Sequence, residues 1–417
     1  MRRLIQSLTY LLLVILYLGA CSAPAPQNTP IATSSSPILP TPTQSSPPIP
    51  AAVATSKAPS PTTELSGLQV VYFKDGYVML WSEGKGSRQL AEASTEQLRI
   101  SDDGQLVAYL GTNSAGDNGI FAVNADGSNQ RLLVGQEYLQ NIQPAGQMVS
   151  FDFSPASHML YFVTDQYDLH RVDAASGSAS TVFGTGKGGF FTFSPDSQWM
   201  VIYHPNELVL ARPDGSEARV AFQYPPDFGY TMMAPEIAWK ADSSGFYIVS
   251  ASGPQGEPGS MTVWFIPVIG DPVLQMSYTG AYGANLSPDG QNVVYLNFQN
   301  EPVDVHFVAP DGKDTTYNSY PASLYPAIKF MGWAPDSKFF VLNLSKDGRL
   351  PDPYLCEVGE LSIKLTDTDY AFPVVWVDAG RILFVSNGSL RLQQLSEPSV
   401  LLDNVSSSNF DYTYINP

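Results

Sequence analysis

The chain has 417 residues, of which 44% are hydrophobic and 12% aromatic, with 22 tyrosines and 21 phenylalanines. This aromatic content favours half-buried β-strands over a helical bundle, so we expect an all-β fold. The formal net charge of −18 at pH 7 argues against nucleic acid as a partner, because such a surface repels phosphate groups.

The amino terminus has the features of a bacterial lipoprotein signal. Two arginines precede a largely apolar run over residues 4–20, which ends in the sequence Leu-Gly-Ala before Cys21. Small residues followed by cysteine are typical of a lipobox, so we predict a signal peptide over residues 1–20 and lipid attachment at Cys21. The mature chain would then be anchored to the extracytoplasmic face of the cell membrane, or to an outer membrane where one exists. An uncleaved signal anchor, the alternative, gives the same location.

Residues 21–65 follow as a predicted disordered tether. Between residues 22 and 65 the chain is dominated by Pro, Ser, Thr and Ala, with eleven prolines and only two charges. Such a composition cannot form a core, and polyproline geometry at about 3.1 Å per residue limits its reach to roughly 130 Å. The other cysteine, Cys356, follows an apolar stretch and is predicted to be a small core residue.

Beyond residue 65 an apolar residue followed by a four-residue turn recurs. The spacings between the apolar anchors are 53, 40, 46, 47, 47 and 43 residues. In the turn Pro presets φ, Asp caps the backbone, and Gly or Ser tolerates the tight geometry that follows. The seven copies begin at Ile100, Phe153, Phe193, Trp239, Leu286, Trp333 and, in a weaker form, Trp376. This spacing predicts one four-stranded propeller blade per repeat.

The Ser-Pro-Asp-Gly/Ser turns and the aromatic-rich strands after them resemble the TolB-type propeller repeat over roughly residues 66–417. The resemblance implies an all-β propeller fold. It does not specify a function, because similar blades occur in envelope scaffolds, in the gating domain of prolyl oligopeptidase-like hydrolases and in some polysaccharide lyases.

The two ends of the repeat region determine the predicted number of blades. Residues 70–73, 77–81 and 88–90 make three strands ahead of the first turn, and residues 409–414 are left over after the last repeat. Adding this C-terminal strand to the first blade would remove an open sheet edge. We therefore predict eight four-stranded blades, or seven if the opening strands or the unit near Val374 pack irregularly.

The sequence predicts no catalytic residues, no metal and no cofactor. The four histidines, His158, His170, His204 and His306, fall at unlike blade positions, so three of them do not readily converge on one ion. No Gly-x-Ser-x-Gly sequence occurs, and no residues remain after the propeller for a hydrolase domain. The glycine-rich residues 184–189 lack the Lys-Ser/Thr ending of a phosphate loop and are interpreted as a connector between blades.

The predicted interblade loops are rich in aromatic residues, which suit a surface that binds protein, peptide or glycan. The candidate binding residues are Tyr138, Tyr224, Phe228, Tyr230, Tyr278, Tyr282, Tyr317, Tyr320, Tyr325, Tyr370 and Phe372. The alternative is that these rings plug the channel mouth and cover the blade ends. We predict a monomeric, non-enzymatic binding or scaffold lipoprotein of the cell envelope. A carbohydrate-active enzyme similar to oligogalacturonate lyases is the competing hypothesis, and it requires two histidines and a carboxylate to converge.

Overall fold

A computed structural model describes residues 67–136, 148–164, 166–204, 206–224, 237–250, 260–279, 282–297, 303–309, 312–321, 328–344, 352–357, 363–364, 371, 373–395 and 397–415. The predicted signal peptide, Cys21 and the tether lie outside these residues. A compact unit spans Thr63–Pro417, and all the elements with described bounds are β-strands. No helix within the described ranges is long and apolar enough to cross a membrane.

The first sheet joins the N-terminal strands to the C-terminal strand, in the order β31-β1-β2-β3-β4-β5-β6. Its strands are β1 (Gly67–Lys74), β2 (Tyr77–Ser82), β3 (Gly86–Ile100), β4 (Leu106–Asn113), β5 (Asn118–Asn124), β6 (Arg131–Gly135) and β31 (Phe410–Ile415). All neighbouring strands are antiparallel, as expected for short connections.

Six four-stranded antiparallel meanders follow, each with its strands in chain order. The first two contain β7 (Met148–Phe153), β8 (Met159–Thr164), β9 (Leu169–Asp173) and β10 (Ala179–Phe183), then β11 (Phe191–Phe193), β12 (Met200–Tyr203), β13 (Glu207–Ala211) and β14 (Arg219–Gln223). The next two contain β15 (Ile237–Trp239), β16 (Gly245–Ser250), β17 (Ser260–Pro267) and β18 (Val273–Thr279), then β19 (Tyr282–Leu286), β20 (Val293–Asn297), β21 (Val303–Val308) and β22 (Asp314–Tyr320). The last two contain β23 (Ile328–Trp333), β24 (Phe339–Leu344), β25 (Asp352–Glu357) and β26 (Ile363–Lys364), then β27 (Val374–Asp378), β28 (Arg381–Ser386), β29 (Ser389–Gln394) and β30 (Val400–Asn404).

The all-β, propeller-like arrangement is confirmed, but the predicted number of blades is wrong. Six separate four-stranded sheets are present in the described part of the chain, rather than eight or seven. The difference lies in β3, which pairs with β2 as far as Glu92 and with β4 from Ala93 onwards. After Gly86 this strand contains no Gly, Pro, Asn or Asp, so no turn residue divides it, and the first two repeats share one seven-stranded sheet.

The predicted role of the C-terminal strand is confirmed. β31 pairs with β1 from Gly67 opposite Ile415 to Tyr72 opposite Phe410. A hydrophobic cluster that includes Val70 and Tyr72 of β1 with Leu383 of β28 packs the last sheet against the first. Both ends of the chain therefore contribute to the same sheet, and no open edge remains on β1.

Other hydrophobic clusters likewise join consecutive sheets. One combines Tyr161 of β8 with Met200 of β12, and another combines Leu210 of β13 with Phe246 of β16. In the described residues the apolar side chains therefore pack mainly between sheets, which is the contact that holds a propeller together.

A β-bulge recurs where the fourth strand of a repeat pairs with the third strand, and it turns the extra residue toward a hydrophobic cluster in every case except the exposed Gln275. In each case one residue of the fourth strand is skipped in the pairing with the third strand. The skipped residues are Leu90, Leu133, Val182, Ala221, Gln275, Tyr317 and Leu402. Leu90, Leu133 and Ala221 are buried, so the extra residue adds apolar contact to the neighbouring sheet.

Six of the repeat turns lie where the sequence predicts them, each joining the first and second strands of a repeat, whereas the seventh is shorter because β27 continues to Asp378. In the turn after β11, Asp196 Oδ1 accepts a hydrogen bond from the Gln198 backbone N–H at 3.0 Å, and the Ser197 N–H donates to the Ser194 carbonyl oxygen at 2.9 Å. The aspartate thus stabilises the local turn, as its position suggested.

The residue after this aspartate adopts the left-handed conformation and contacts the preceding sheet. Its φ is positive at Gly104, Ser197, Ser243, Gly290 and Ser337. The Ser243 hydroxyl accepts a hydrogen bond from the Asp196 N–H, and the Ser337 hydroxyl accepts one from the Asp289 N–H, both at 3.1 Å. At Gly290 a Cβ atom would lie 2.3 Å from the Tyr247 ring. Ser243 and Ser337 therefore provide hydroxyls that bridge two turns, whereas Gly290 leaves space for a ring of the preceding sheet.

Candidate functional site

The predicted aromatic face falls largely outside the described residues. This applies to Tyr138, Phe228, Tyr230, Tyr325, Tyr370 and Phe372, and also to the predicted lipid attachment residue Cys21. Of the remaining candidates, Tyr278 lies in β18 and Tyr282 in β19, so these two are strand residues rather than loop residues. The binding role of the face stays a prediction.

Tyr224 follows β14 directly and is a core residue rather than an exposed ring. It is 8% exposed and belongs to the hydrophobic cluster that joins β13 to β16. Its ring packs edge to face on Phe222, with centroids 5.7 Å apart. Burial raises the pKa of the Tyr224 hydroxyl well above its usual value. The ring thus fixes the point at which the chain leaves β14.

Tyr317 and Tyr320 of β22 are also packed into a hydrophobic cluster, with Phe340 of the next sheet. Tyr320 is 9% exposed, and the Tyr317 ring lies 5.5 Å from that of Phe340. Two residues three positions apart normally point to opposite faces of a strand, but Tyr317 is the bulged residue of β22, which changes the alternation. The prediction that these two tyrosines lie in an interblade loop is wrong, because both belong to β22, where the bulge turns their rings into the same cluster. Cys356 lies in that cluster as predicted, and burial raises the pKa of its thiol to about 12.

On the side of the repeat turns, a cleft of about 400 Å³ separates the turn after β3 from the turn after β7. It is lined by Asp102, Asp103, Ala156, Ser157 and His158. Sequence analysis missed this cleft. The signal was a departure from the repeat, because the turn after β7 has Ala156 at a position where five of the other six turns have aspartate.

Asp103 and His158 connect the two sides of the cleft. Asp103 Oδ2 lies 2.9 Å from His158 Nε2, while Asp103 Oδ1 accepts hydrogen bonds from the Ser101 hydroxyl and the Gln105 N–H. The hydrogen bond with Asp103 raises the pKa of His158 above its usual value, although burial opposes this effect. Burial alone would raise the pKa of Asp103, but its hydrogen bonds, with His158 foremost, lower it to about 2. The pair is therefore ionised in mildly acidic solution.

Three further charged side chains lie nearby, with Arg99 and Asp152 on the strands before these turns and Asp411 on β31. Arg99 of β3 is 3.7 Å from Asp152 of β7, and Asp411 of β31 accepts a hydrogen bond from the Ile100 N–H at 2.9 Å. The Asp152 side chain is 57% exposed, yet protein atoms crowd its carboxyl group and raise its pKa to about 6, with Asp411 adding to this and Arg99 opposing it. Burial likewise raises the pKa of Asp411. These carboxyl groups face one guanidinium, so the region beside the cleft is acidic.

The histidines have separate local partners. His158 contacts Asp103, His170 stacks on Phe162, His204 lies 3.1 Å from the Lys187 carbonyl oxygen, and His306 lies 2.8 Å from Asp314. Within the described ranges no group of three or more His, Cys, Asp or Glu is arranged to hold a metal ion.

The glycine-rich residues 184–189 connect β10 to β11, as the sequence predicted, and they open no helix. Gly188 donates a hydrogen bond from its N–H to the Tyr167 carbonyl oxygen at 2.7 Å. A Cβ atom at Gly188 would lie 2.5 Å from the backbone nitrogen of Leu169. The glycine is therefore required by close backbone packing within the sheet, rather than by a phosphate.

No protein-family model and no curated protein matches the chain. Among solved structures, oligopeptidase B from Trypanosoma brucei is 13% identical with a TM-score of 0.52, and the match covers 76% of this chain but only 49% of oligopeptidase B. An oligogalacturonate lyase in complex with manganese is 14% identical with a TM-score of 0.45, over 67% of this chain and 82% of the lyase. TolB from Acinetobacter baumannii is 14% identical with a TM-score of 0.34, over 63% of this chain and 69% of TolB. At such identities the likeness shows a propeller-type fold alone, and the last two superpositions are too loose to carry an argument about function.

Proposed function

We propose that this protein is a lipid-anchored binding or scaffold protein of the cell envelope, which acts as a monomer outside the cytoplasm. The observation that carries the proposal is the closure of the ring by β31, together with apolar clusters that pack sheet against sheet. A closed ring of this kind is a rigid platform, and its connections between sheets are free to vary for recognition. The proposed ligand is a protein, peptide or glycan held by the aromatic loops.

The buried tyrosines support this division of roles. Tyr224 lies immediately before residues 225–236, and Tyr320 lies just before residues 322–327. A loop whose start is fixed in the core loses less conformational freedom when it binds a partner. The candidate contact residues are therefore Phe228, Tyr230 and Tyr325 in the predicted loops, while Tyr224, Tyr317 and Tyr320 pack into the core ahead of them.

The anchor is tested by Cys21→Ser in the full-length precursor. Since the cysteine thiol is the group that accepts the lipid, the variant should accumulate as an unprocessed precursor without label from radioactive palmitate. Mass spectrometry and membrane fractionation measure both effects, and Cys356→Ser is the matched control that should be processed normally. Normal maturation of Cys21→Ser, with release of soluble protein, contradicts the anchor.

The binding face is tested by Tyr230→Ala and Tyr325→Ala, with the immobilised chain presented to native envelope extract and to peptide and glycan arrays. If these rings are buried by the partner, each substitution should weaken capture by about 1 to 3 kcal/mol at unchanged stability. Tyr320→Ala should instead lower stability, since its ring is 9% exposed. Asp196→Ala, on the turn side, should leave capture unchanged. Loss of capture only in the aspartate variant would place the binding face on the turn side.

A further inference from the structure

Two neighbouring repeat turns are joined by a titratable pair, whereas others are joined by neutral groups. The Ser243 and Ser337 hydroxyls accept hydrogen bonds from backbone N–H groups of the preceding turn, and neither contact changes with pH. Between the turns after β3 and β7 the contact is instead the 2.9 Å pair of Asp103 and His158. A second contact, from the Ala156 N–H to Asp102 Oδ2, is long at 3.3 Å.

We propose that this junction is a pH-responsive contact, which is closed when His158 is protonated and loosens as the pH rises above neutrality, so that the cleft between the two turns opens. The geometry supports this, because Asp103 and His158 lie on opposite sides of the cleft and both line it. An extracytoplasmic protein meets the pH of its surroundings directly, so such a contact would respond to them. The inference itself does not depend on the lipid anchor or on the aromatic loops.

Several charged groups face the pair from the surrounding elements. Besides Asp103, His158 interacts electrostatically with two further groups. The carboxylate of Asp173 favours the charged imidazole, and the guanidinium of Arg131 disfavours it. Asp102 lines the same cleft. Asp152 lies on β7 and Asp411 on β31, and both carboxyl groups interact with Arg99 and with Asp102. Of these interactions, the hydrogen bond with Asp103 has the largest effect on the pKa of His158.

The direction of the effect follows from the two pKa values. The pKa of His158 is raised in the folded chain, so the stabilisation that its charged form provides is complete below about pH 6.5 and is lost as the pH rises through the folded pKa. The pKa of Asp103 is lowered to about 2, so the stabilisation from its carboxylate is complete above pH 3.8 and is lost as the pH falls toward 2. The contact is therefore strongest in mildly acidic solution. The loosening is partial, because neutral imidazole still donates one hydrogen bond and both side chains are more than one-third exposed.

Hydrogen exchange of the intact chain, read by mass spectrometry on peptides covering residues 100–106 and 154–160, measures the opening. After correction for intrinsic exchange rates, protection should fall by roughly twofold to fivefold between pH 6 and pH 8.5, the range expected for an exposed ion pair. His158→Gln and Asp103→Asn should both remove this difference. Ser243→Ala is the matched control, because it should reduce protection of residues 194–199 equally at both pH values.

Two results of the exchange experiment would overturn the proposal. One is equal protection of these peptides at both pH values in the unmodified chain. The other is a pH difference that persists in His158→Gln. Titration of His158 by NMR provides a readout that does not depend on how the variants fold, and a folded pKa at or below 6.5 would also contradict the proposal.

Discussion

Ser243 offers a quantitative test of how neighbouring turns are joined. It adopts a left-handed φ of 56°, is 7% exposed, and accepts a hydrogen bond from the Asp196 N–H of the preceding sheet. Two substitutions separate these properties. Ser243→Ala removes the hydrogen bond and keeps the unfavourable conformation, whereas Ser243→Gly removes the hydrogen bond and relieves that conformation.

The magnitudes follow from the two contributions. The hydrogen bond contributes about 0.5 to 1.5 kcal/mol, and the lower half of that range applies because Asp196 is exposed and water can replace the hydroxyl. Left-handed backbone costs a non-glycine residue about 1 to 2 kcal/mol, from which the extra entropy of glycine in the unfolded chain subtracts about 0.4 to 1 kcal/mol. We therefore expect Ser243→Ala to destabilise the protein by about 1 kcal/mol and Ser243→Gly to leave stability nearly unchanged.

Urea denaturation, followed by tryptophan fluorescence, measures the difference as a shift of the midpoint at constant slope. Ser244→Ala is the matched control, since the Ser244 hydroxyl donates its hydrogen bond to Asp242 within its own turn. A Ser243→Ala variant as stable as Ser243→Gly would refute the reasoning, because the left-handed conformation would then have no measurable effect.

Three further predictions concern packing, closure and pH. Gly290→Ala should destabilise the protein by about 2 to 4 kcal/mol because its Cβ would meet the Tyr247 ring at 2.3 Å, whereas Gly312→Ala, which has a similar φ but open space, should cost about 1 kcal/mol in a thermal melt. Deleting residues 409–417 should cost several kcal/mol by removing β31, while deleting only residues 416–417 should not; equal melting temperatures would refute the closure argument. Burial lowers the pKa of His170, so the unfolded chain takes up a proton first below about pH 6.5, and the contribution of this residue to stability is lost as the pH falls from 7 to 5. Compared with the unmodified chain, His170→Gln should therefore lose less stability, or gain more, between pH 7 and pH 5, as urea midpoints at the two pH values can show.

The repeat turns and the closing strand were predictable because each has a local chemical signature. Ser-Pro-Asp-Gly/Ser fixes a turn through proline, an aspartate cap and a left-handed residue, and these interactions involve only adjacent residues. The long strand β3 was not predictable as a single element, because one strand that serves two repeats reads like two strands without a turn signal between them. Its partners are set by pairing with β2 and β4, which is information from other parts of the chain.

For the aromatic residues, the sequence could not show which tyrosines belong to a binding surface and which to the core. Tyrosine suits both a binding surface and the end of a core, and its sequence neighbours do not distinguish the two. The position of Tyr317 depends on a bulge in β22, and the sequence Asp-Thr-Thr-Tyr-Asn-Ser-Tyr of that strand contains no glycine to mark it. The same bulge recurs in other fourth strands, so it could be inferred only from the blade geometry.

The type of residue at the left-handed turn position depends on which group of the preceding sheet lies beside it. Serine occurs where a backbone N–H of the previous turn needs an acceptor, as at Ser243 and Ser337, and glycine where a ring occupies the space, as at Gly290. The turn after β7 does not follow this pattern, and there His158 provides the contact to the preceding turn instead. On this side of the ring, side chains of the turns thus make the contacts that join neighbouring sheets. Substitutions there should affect assembly of the ring first, which is why the proposed binding role is assigned to the loops at the other ends of the strands.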